Sequence, residues 1–497
     1  MLYSTYLTTK SICKDWYTLY LLLGFLGIRI LSFLLAGHAI IQGILVFAII
    51  MLFSVLYFKK PYYAFGLLLG ELFLGGAGHF LELGGLSLRL LLLGTFAFLW
   101  IIHGLTEKHL RKRLYIPHKI FYLLIPLLLS VFLAIIIGLS RQNNITAIIQ
   151  DLIPFAFLLI ILPAYHIMRK EHHHHLFIRL FIVFIIGSFL FALANELLFS
   201  LGVVHIHGEY YNWFRDVAAG KITYMSLGFF RIVAPEHLFI PIFTLIIASL
   251  LMREEKHHAY WYVLLFCTIT ILVLNFSRAY ILGTLVGLCI LKYSHSWKRW
   301  VEVCVMSIGL FFISFIAINI FVSSGLSSGS DMLKQRAKSF TSPETEISTS
   351  TRTALLSPII EKIKQQPFFG SGLGSTVRFY DPNKQKFVTT TQMDWGYLEL
   401  IVEIGILGLI FYLTLIGFIL YELHHHITHI HDHQHFYVGV LASVFAILAI
   451  HMFTPALFHV LGVVYLALVI AFITQSRDII HHITSLLYRI FRKIRHQ

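Results

Sequence analysis

Four arginines carry the first chemical signal in this 497-residue sequence. Arg231 stands in FFRIVAPEH, just ahead of an apolar run, and Arg278 stands in NFSRAY, a tight turn between two apolar runs. Arg336 (KQRAKSF) and Arg352 (STSTRTALL) stand in a long polar segment. A guanidinium binds phosphate oxygens bidentately and keeps its charge at a low-dielectric boundary. Several converging on one membrane surface would suit a lipid-linked diphosphate. Any one of them could instead pair with Asp or Glu, or snorkel to headgroups. The NFSRAY turn leaves Arg278 no room to leave the interface, which favours function there. His237, beside Arg231, and Tyr280, beside Arg278, are candidate substrate-binding groups. A neutral imidazole at His205, His207 or His237 can also act as a base.

A second signal is MDWGYLELIVEIGILGL, residues 393–409. Asp394 stands at the entry to an apolar helix, and Glu399 and Glu403 lie inside it. Charge within a membrane helix is expensive and usually functional. Asp394 is placed to cap the helix N-terminus, where a carboxylate is favoured. Glu399 and Glu403 are four residues apart, share one face, and read as structural partners for arginines or polar groups in the bundle. Just upstream lies TRTALLSPIIEKIKQQPFFGSGLGS. Its Ala354, Leu355, Ile359, Ile360 and Ile363 form a helical stripe, and Pro367 ends it. Gly370, Gly372 and Gly374 then permit a tight turn or a close backbone approach. No Lys-Ser/Thr follows, so the stretch is not a nucleotide phosphate loop.

The elements that must hold these residues are membrane helices. The chain is 58% hydrophobic and 12% charged, with mean hydropathy +0.80, against roughly a quarter charged residues for a soluble protein. The reading is an all-α, polytopic bundle of about 12–14 spans. Basic clusters follow alternate spans (Lys59 and Lys60; Arg111 to Arg113; Arg169 and Lys170; Arg253 and Lys256; Arg489 to Arg495), which makes that side cytoplasmic, with both termini there. The expected organisation is 1–201, N-terminal membrane helices; 202–235, an extracytoplasmic loop; 236–322, core membrane helices; 323–394, a large extracytoplasmic loop; 395–474, C-terminal membrane helices; and 475–497, a basic amphipathic tail on the inner leaflet. No removed signal peptide is expected.

The net charge of +14 reads as this loop asymmetry and not as a nucleic-acid surface. The four cysteines suggest neither a disulfide framework nor a zinc site. The histidine clusters at 172–175 and 424–435 are read as loop residues rather than metal ligands. Glu71, Glu82, Arg89, Asp151 and Glu196 are further candidates to line a polar cavity.

The order of FFRIVAPEH, NFSRAYILGTLVG, STRTALL…QQPFFGSGLGS and DWGYLELIVEIGILGL resembles the O-antigen ligase and O-antigen polymerase family of bacterial envelopes, best over about residues 225–420. The resemblance implies a GT-C-type fold and a metal-independent, inverting glycosyltransferase without cofactor, in the bacterial inner membrane. It implies an undecaprenyl-diphosphate-linked oligosaccharide as donor, a glycan acceptor, and a flippase or chain-length regulator as partner. Arg231, Arg278 and Arg352 match the family positions that hold the diphosphate; Arg336 is a looser match. Ligases carry a His-Asn pair before the closing helix, where this chain has Asp394-Trp395. The departure favours a polymerase, with a ligase as alternative and Asp394 on the acceptor hydroxyl. A different class, a polysaccharide or lipid-linked oligosaccharide transporter, remains open, although the two halves look unlike.

Overall fold

The computed structural model describes residues 16–107, 115, 117–168, 174–253, 259–334, 347–429 and 434–474. Arg336, the tail 475–497 and the basic clusters at 111–113 and 169–170 lie outside the described residues.

Among these residues nine helices are long and apolar enough to cross a membrane: α1 Trp16–Leu34, α2 Ala39–Lys59, α4 Leu88–Thr106, α5 His118–Ser140, the segment Ile145–Met168, α8 within Leu176–Ser200, α13 Trp297–Val322, α15 Gly396–His429 and α16 Gln434–His451. The segment 145–168 is α6 (Ile145–Ala156), a 3-10 turn, and α7 (Ile161–Met168). The full extent of α8 is His174–Ser200. The chain is an all-α, multi-pass membrane protein.

The remaining segments expected to span are helical but shorter: α3 Pro61–Leu74, α10 Phe239–Leu251, α11 Ala259–Asn275, α12 Arg278–Ile290 and α17 Val460–Thr474. A 13-residue helix rises only about 20 Å, against roughly 30 Å of hydrocarbon. Of these, α10 and α17 are the inner ones, whereas α12 keeps Leu282 and Leu285 exposed. In α10 every residue but Leu250 is buried, as an all-apolar helix requires. The early end of α3 has a local cause. Gly75, Gly76 and Gly78 all take positive φ, and a hairpin of β1 (Glu82–Leu83) and β2 (Leu86–Ser87) follows.

Two further hairpins lie in the polar segments. In the first of these segments a short helix, α9 (Glu209–Asp216), precedes the antiparallel pair β3 (Lys221–Ser226) and β4 (Phe229–Val233). In the second, the helix α14 (Ile347–Gln365) precedes β5 (Val377–Asp381) and β6 (Lys386–Thr390). The β3–β4 hairpin packs against the end of α11, and the β5–β6 hairpin against α14 and the start of α15.

Two buried ion pairs tie the N-terminal helices to this frame. Arg29 donates to Glu236 at 2.6 Å and to the Leu74 carbonyl at 2.7 Å. Its guanidinium lies between Phe25 and Phe191, 4.2 and 4.3 Å from the ring centres. Arg89 donates to Glu71 at 2.9 Å and to the Gly75 carbonyl at 2.8 Å. A side chain at Gly75 would overlap Glu236, so the glycine turn is seated on that carboxylate. Glu71 and Arg89, candidates for a polar cavity, instead satisfy each other.

Candidate active site

The residues picked from the sequence form two nodes at one end of the bundle. The first is built on the turn between α11 and α12. Asn275 ends α11, Phe276 takes φ +44, Ser277 is extended, and Arg278 opens α12. Arg231, on β4 opposite Thr223, donates from Nε to the Asn275 carbonyl at 2.8 Å. A cation there is favoured by the helix C-terminal dipole. The Asn275 amide meets His237 Nδ1 at 2.9 Å, and the Ala234 N–H approaches the same nitrogen at 3.4 Å. Both neighbours being donors, Nδ1 accepts and the ring proton sits on Nε2.

His237 is only 1% exposed. The imidazole read from the sequence as external and able to act as a base is a buried group that holds Asn275, which in turn holds Arg231. The next residue of the chain before it, Glu236, carries the Arg29 pair described above. Tyr280 lies within electrostatic range of both Arg231 and Glu236. The hairpin itself is fixed from below, since the Phe230 N–H donates to the buried Glu196 at 3.0 Å.

The second node is built on α14 and the entry to α15. Arg352 Nε lies 3.6 Å from Asp394 Oδ2, with the two side chains 25% and 47% exposed. That nitrogen is buried without a hydrogen-bond partner. The Trp395 indole N–H donates to the Arg352 carbonyl at 3.1 Å, fixing α14 against the start of α15. Asp394 has φ +57 and stands one residue too early to cap the helix. The Trp395 carbonyl accepts the first helical bond, from Glu399 N–H at 2.8 Å. Freed from capping, the Asp394 carboxylate turns to Arg352. Glu399 takes over the terminus, accepting the Met393 N–H at 3.3 Å.

Below Asp394 the helix breaks. Gly405 has φ +73 and ψ 178, a conformation essentially restricted to glycine. The break frees the Val402 and Glu403 carbonyls and the Ile406 and Leu407 amides. The glycine-rich stretch satisfies all four. Ser371 and Gly372 N–H donate to Val402 and Glu403 at 2.6 and 3.1 Å, and Ile406 and Leu407 N–H donate to Pro367 and Phe368 at 2.9 and 3.2 Å. A side chain at Gly370 would lie 2.6 Å from the Glu403 carbonyl, and one at Gly372 would overlap the Gly138 backbone. Gly374 N–H donates to Asp151 at 2.8 Å, and Asp151 faces Glu403. Backbone apposition, rather than a free turn, is what the three glycines permit here.

Among the described residues neither Glu399 nor Glu403 is in an ion pair with an arginine. Their polar partners are a backbone amide and a carboxyl. Lys362 of α14 donates to the Thr376 carbonyl at 2.5 Å; burial, and then the Arg141 charge, pull its ammonium below the usual lysine range.

The last turn of α16 joins the two nodes. A side chain at Gly283 of α12 would press on Ala446 and Ile450, and one at Gly396 would overlap the His451 ring. Tyr397 donates to the Leu448 carbonyl at 3.1 Å and packs edge-on against His451, centroids 4.6 Å apart. His451 accepts the Leu457 N–H on Nδ1 at 3.2 Å, while its Nε2 is buried without a partner. This imidazole, packed on Gly396 two residues along the chain from Asp394, was not legible as a site residue, because it reads as the end of a span. Asn275 was missed for the same reason, and Arg29 because it reads as a stray charge within an apolar run. Among the described residues no three His, Cys, Asp or Glu side chains are grouped to hold a metal ion.

Arg278, Arg352, the glycine stretch and Asp394 all fall within one matched segment, while Arg231 and His237 precede it. No curated protein matches the chain. Residues 263–413 match the family model described as O-antigen ligase.

Proposed function

We propose that this membrane enzyme of the O-antigen ligase type transfers glycan from an undecaprenyl-diphosphate-linked donor to another glycan, on the extracytoplasmic face, as a polymerase. The loop-bearing end, with both nodes, is that face, and the architecture is of the GT-C kind. The observation that carries this reading is the loose Arg352–Asp394 pair. A guanidinium and a carboxylate stand side by side, partly open, neither spent on a short hydrogen bond to the other. Each can take a substrate group: the arginine a phosphate, the carboxylate a hydroxyl.

In the proposed step the acceptor oxygen attacks the anomeric carbon as its proton passes to Asp394. The bond from that carbon to the diphosphate oxygen breaks, and the electron pair leaves on the lipid diphosphate. Attack opposite the leaving group inverts the anomeric centre. Arg352, Arg278 and Arg231 stabilise the charge that develops on the diphosphate, which is where preorganised donors contribute most. His237 and Asn275 hold Arg231 and so act as positioning residues. Asp394, standing where ligases carry a histidine, supports polymer extension over transfer to lipid A-core.

The test is purified protein in nanodiscs, supplied with a lipid-diphosphate oligosaccharide. Longer glycans with stoichiometric release of undecaprenyl diphosphate support the proposal. Movement of the substrate across vesicles with no new glycosidic bond would replace it with a transporter.

A further inference from the structure

The β5–β6 hairpin has two faces of opposite character. On the inner face Val377 and Phe379 are buried against Leu355, Ile359, Met393 and Val402. On the outer face Arg378, Tyr380, Phe387 and Thr389 are all exposed. Tyr380 pairs with Phe387 across the strands, and Arg378 pairs with Thr389. The two rings, 49% and 63% exposed, stand edge-to-face with centroids 5.5 Å apart. The Arg378 guanidinium lies 5.0 Å over the Phe387 ring. A cluster of large aromatic groups left open on a polar segment marks a recognition surface.

The hairpin is also bound to the second node. The Asn383 side-chain amide donates to Ser350 and Thr351 hydroxyls, both at 3.0 Å, directly ahead of Arg352. Its own turn is closed by Asp381, which accepts the Asn383 N–H at 2.9 Å. At the other end, β6 stops at Thr390 and only three residues precede Asp394. The outer face is therefore held in fixed relation to both the arginine and the carboxylate.

We propose that this outer face is a glycan-binding platform that holds the sugar chain beside the reacting centre. The inference rests on the transfer reading above and specifies where that reading's glycan lies. A pyranose ring presents a C–H face that stacks on an aromatic ring and a hydroxyl edge that needs polar partners. Tyr380 and Phe387 supply the first; Arg378 and Thr389, interleaved on the same face, supply the second. Arg378 also favours uronate or other acidic sugars. A bilayer would have to take up a guanidinium and a hydroxyl together with the rings, and a sugar chain meets all four groups at once. A glycan growing from the Arg352–Asp394 node must leave across some fixed surface, and this hairpin is covalently continuous with that node.

Phe387→Trp keeps an aromatic platform and reports on it. With the full-length variant in nanodiscs, lipid-free repeat-unit oligosaccharide prepared from the source cell shifts the emission saturably, and brominated phosphatidylcholine does not quench it. In the transfer assay the double variant Tyr380→Ala/Phe387→Ala raises KM for a multi-unit glycan about tenfold, leaves kcat on a single-unit acceptor unchanged, and shortens the product chains; Phe387→Trp restores them. Both side chains are exposed, so the melting temperature stays the same. Bromolipid quenching without a glycan response would make the face a lipid anchor and overturn the proposal. So would wild-type KM and chain length in the double variant. Absence of any transfer by the wild type would refute the transfer reading, while the emission titration would still decide the platform.

Discussion

Arg352→Ala separates a structural from a chemical role by magnitude. Among the described residues Arg352 makes one charged contact, to Asp394 at 3.6 Å, with side chains 25% and 47% exposed. Partly exposed pairs of this kind contribute about 0–1 kcal/mol. Alanine is also the better helix former at this position in α14. The expected loss of stability is therefore below about 1 kcal/mol. A charge-assisted contact from a guanidinium to a phosphate contributes about 1.5–3 kcal/mol. At about 1.36 kcal/mol per tenfold in rate, removing it lowers kcat/KM about 10- to 150-fold. Arg352→Lys keeps the charge without the fork and recovers only part of that loss. The assay is the initial rate of undecaprenyl diphosphate release in nanodiscs, with the unfolding midpoint measured on the same sample. A rate within twofold of wild type at an unchanged midpoint would refute the assignment. A midpoint that falls in step with the rate would make Arg352 a structural tie between α14 and α15.

Asp394→Asn removes the proton acceptor and keeps the shape; the expected result is a loss of about 10²- to 10⁴-fold in kcat at constant stability, and an unchanged rate would leave Asp394 as Arg352's partner only. Gly405→Ala forces a side chain into the Phe368 carbonyl at φ +73. It costs about 1–3 kcal/mol in backbone strain and about 0.5–1.5 kcal/mol for each hydrogen bond lost to the glycine stretch. The measurement is yield and unfolding midpoint against Gly417→Ala, where the added methyl meets open space. Arg29→Ala leaves Glu236 buried and unpaired, which costs about 3–5 kcal/mol; the combined variant Arg29→Met/Glu236→Leu regains most of it in thermal unfolding.

The helices were legible because each is a long apolar run, and their ends were legible where glycines or basic residues punctuate them. The end after Leu74 lies in LGGAG, where three positive-φ glycines stop the helix sooner than hydropathy alone suggests. The glycines at 370, 372 and 374 announced a close backbone approach. Their partner did not announce itself, because it exists only once Gly405 breaks α15 and frees the Val402 and Glu403 carbonyls. Arg29 looked like one stray charge in an apolar run, its partner standing 207 residues away. Local patterns carry local conformation, and pairings of this range are set by packing alone.

The same distinction bears on Asp394. From sequence it competes between two duties, capping a helix and meeting a substrate. The fold separates them by one residue: Trp395 takes the cap position and Glu399 closes the terminus. Left-handed backbone at Asp394 then aims the carboxylate away from the helix and toward Arg352. His451 closes the other side, fitting only because Gly396 has no side chain. A larger residue at 396 would push the imidazole and tilt the start of α15, moving Asp394 relative to Arg352. The separation of carboxylate and guanidinium is therefore governed by a contact neither residue makes. Gly396 and His451 control the geometry of the proposed reaction as directly as the two charged groups do.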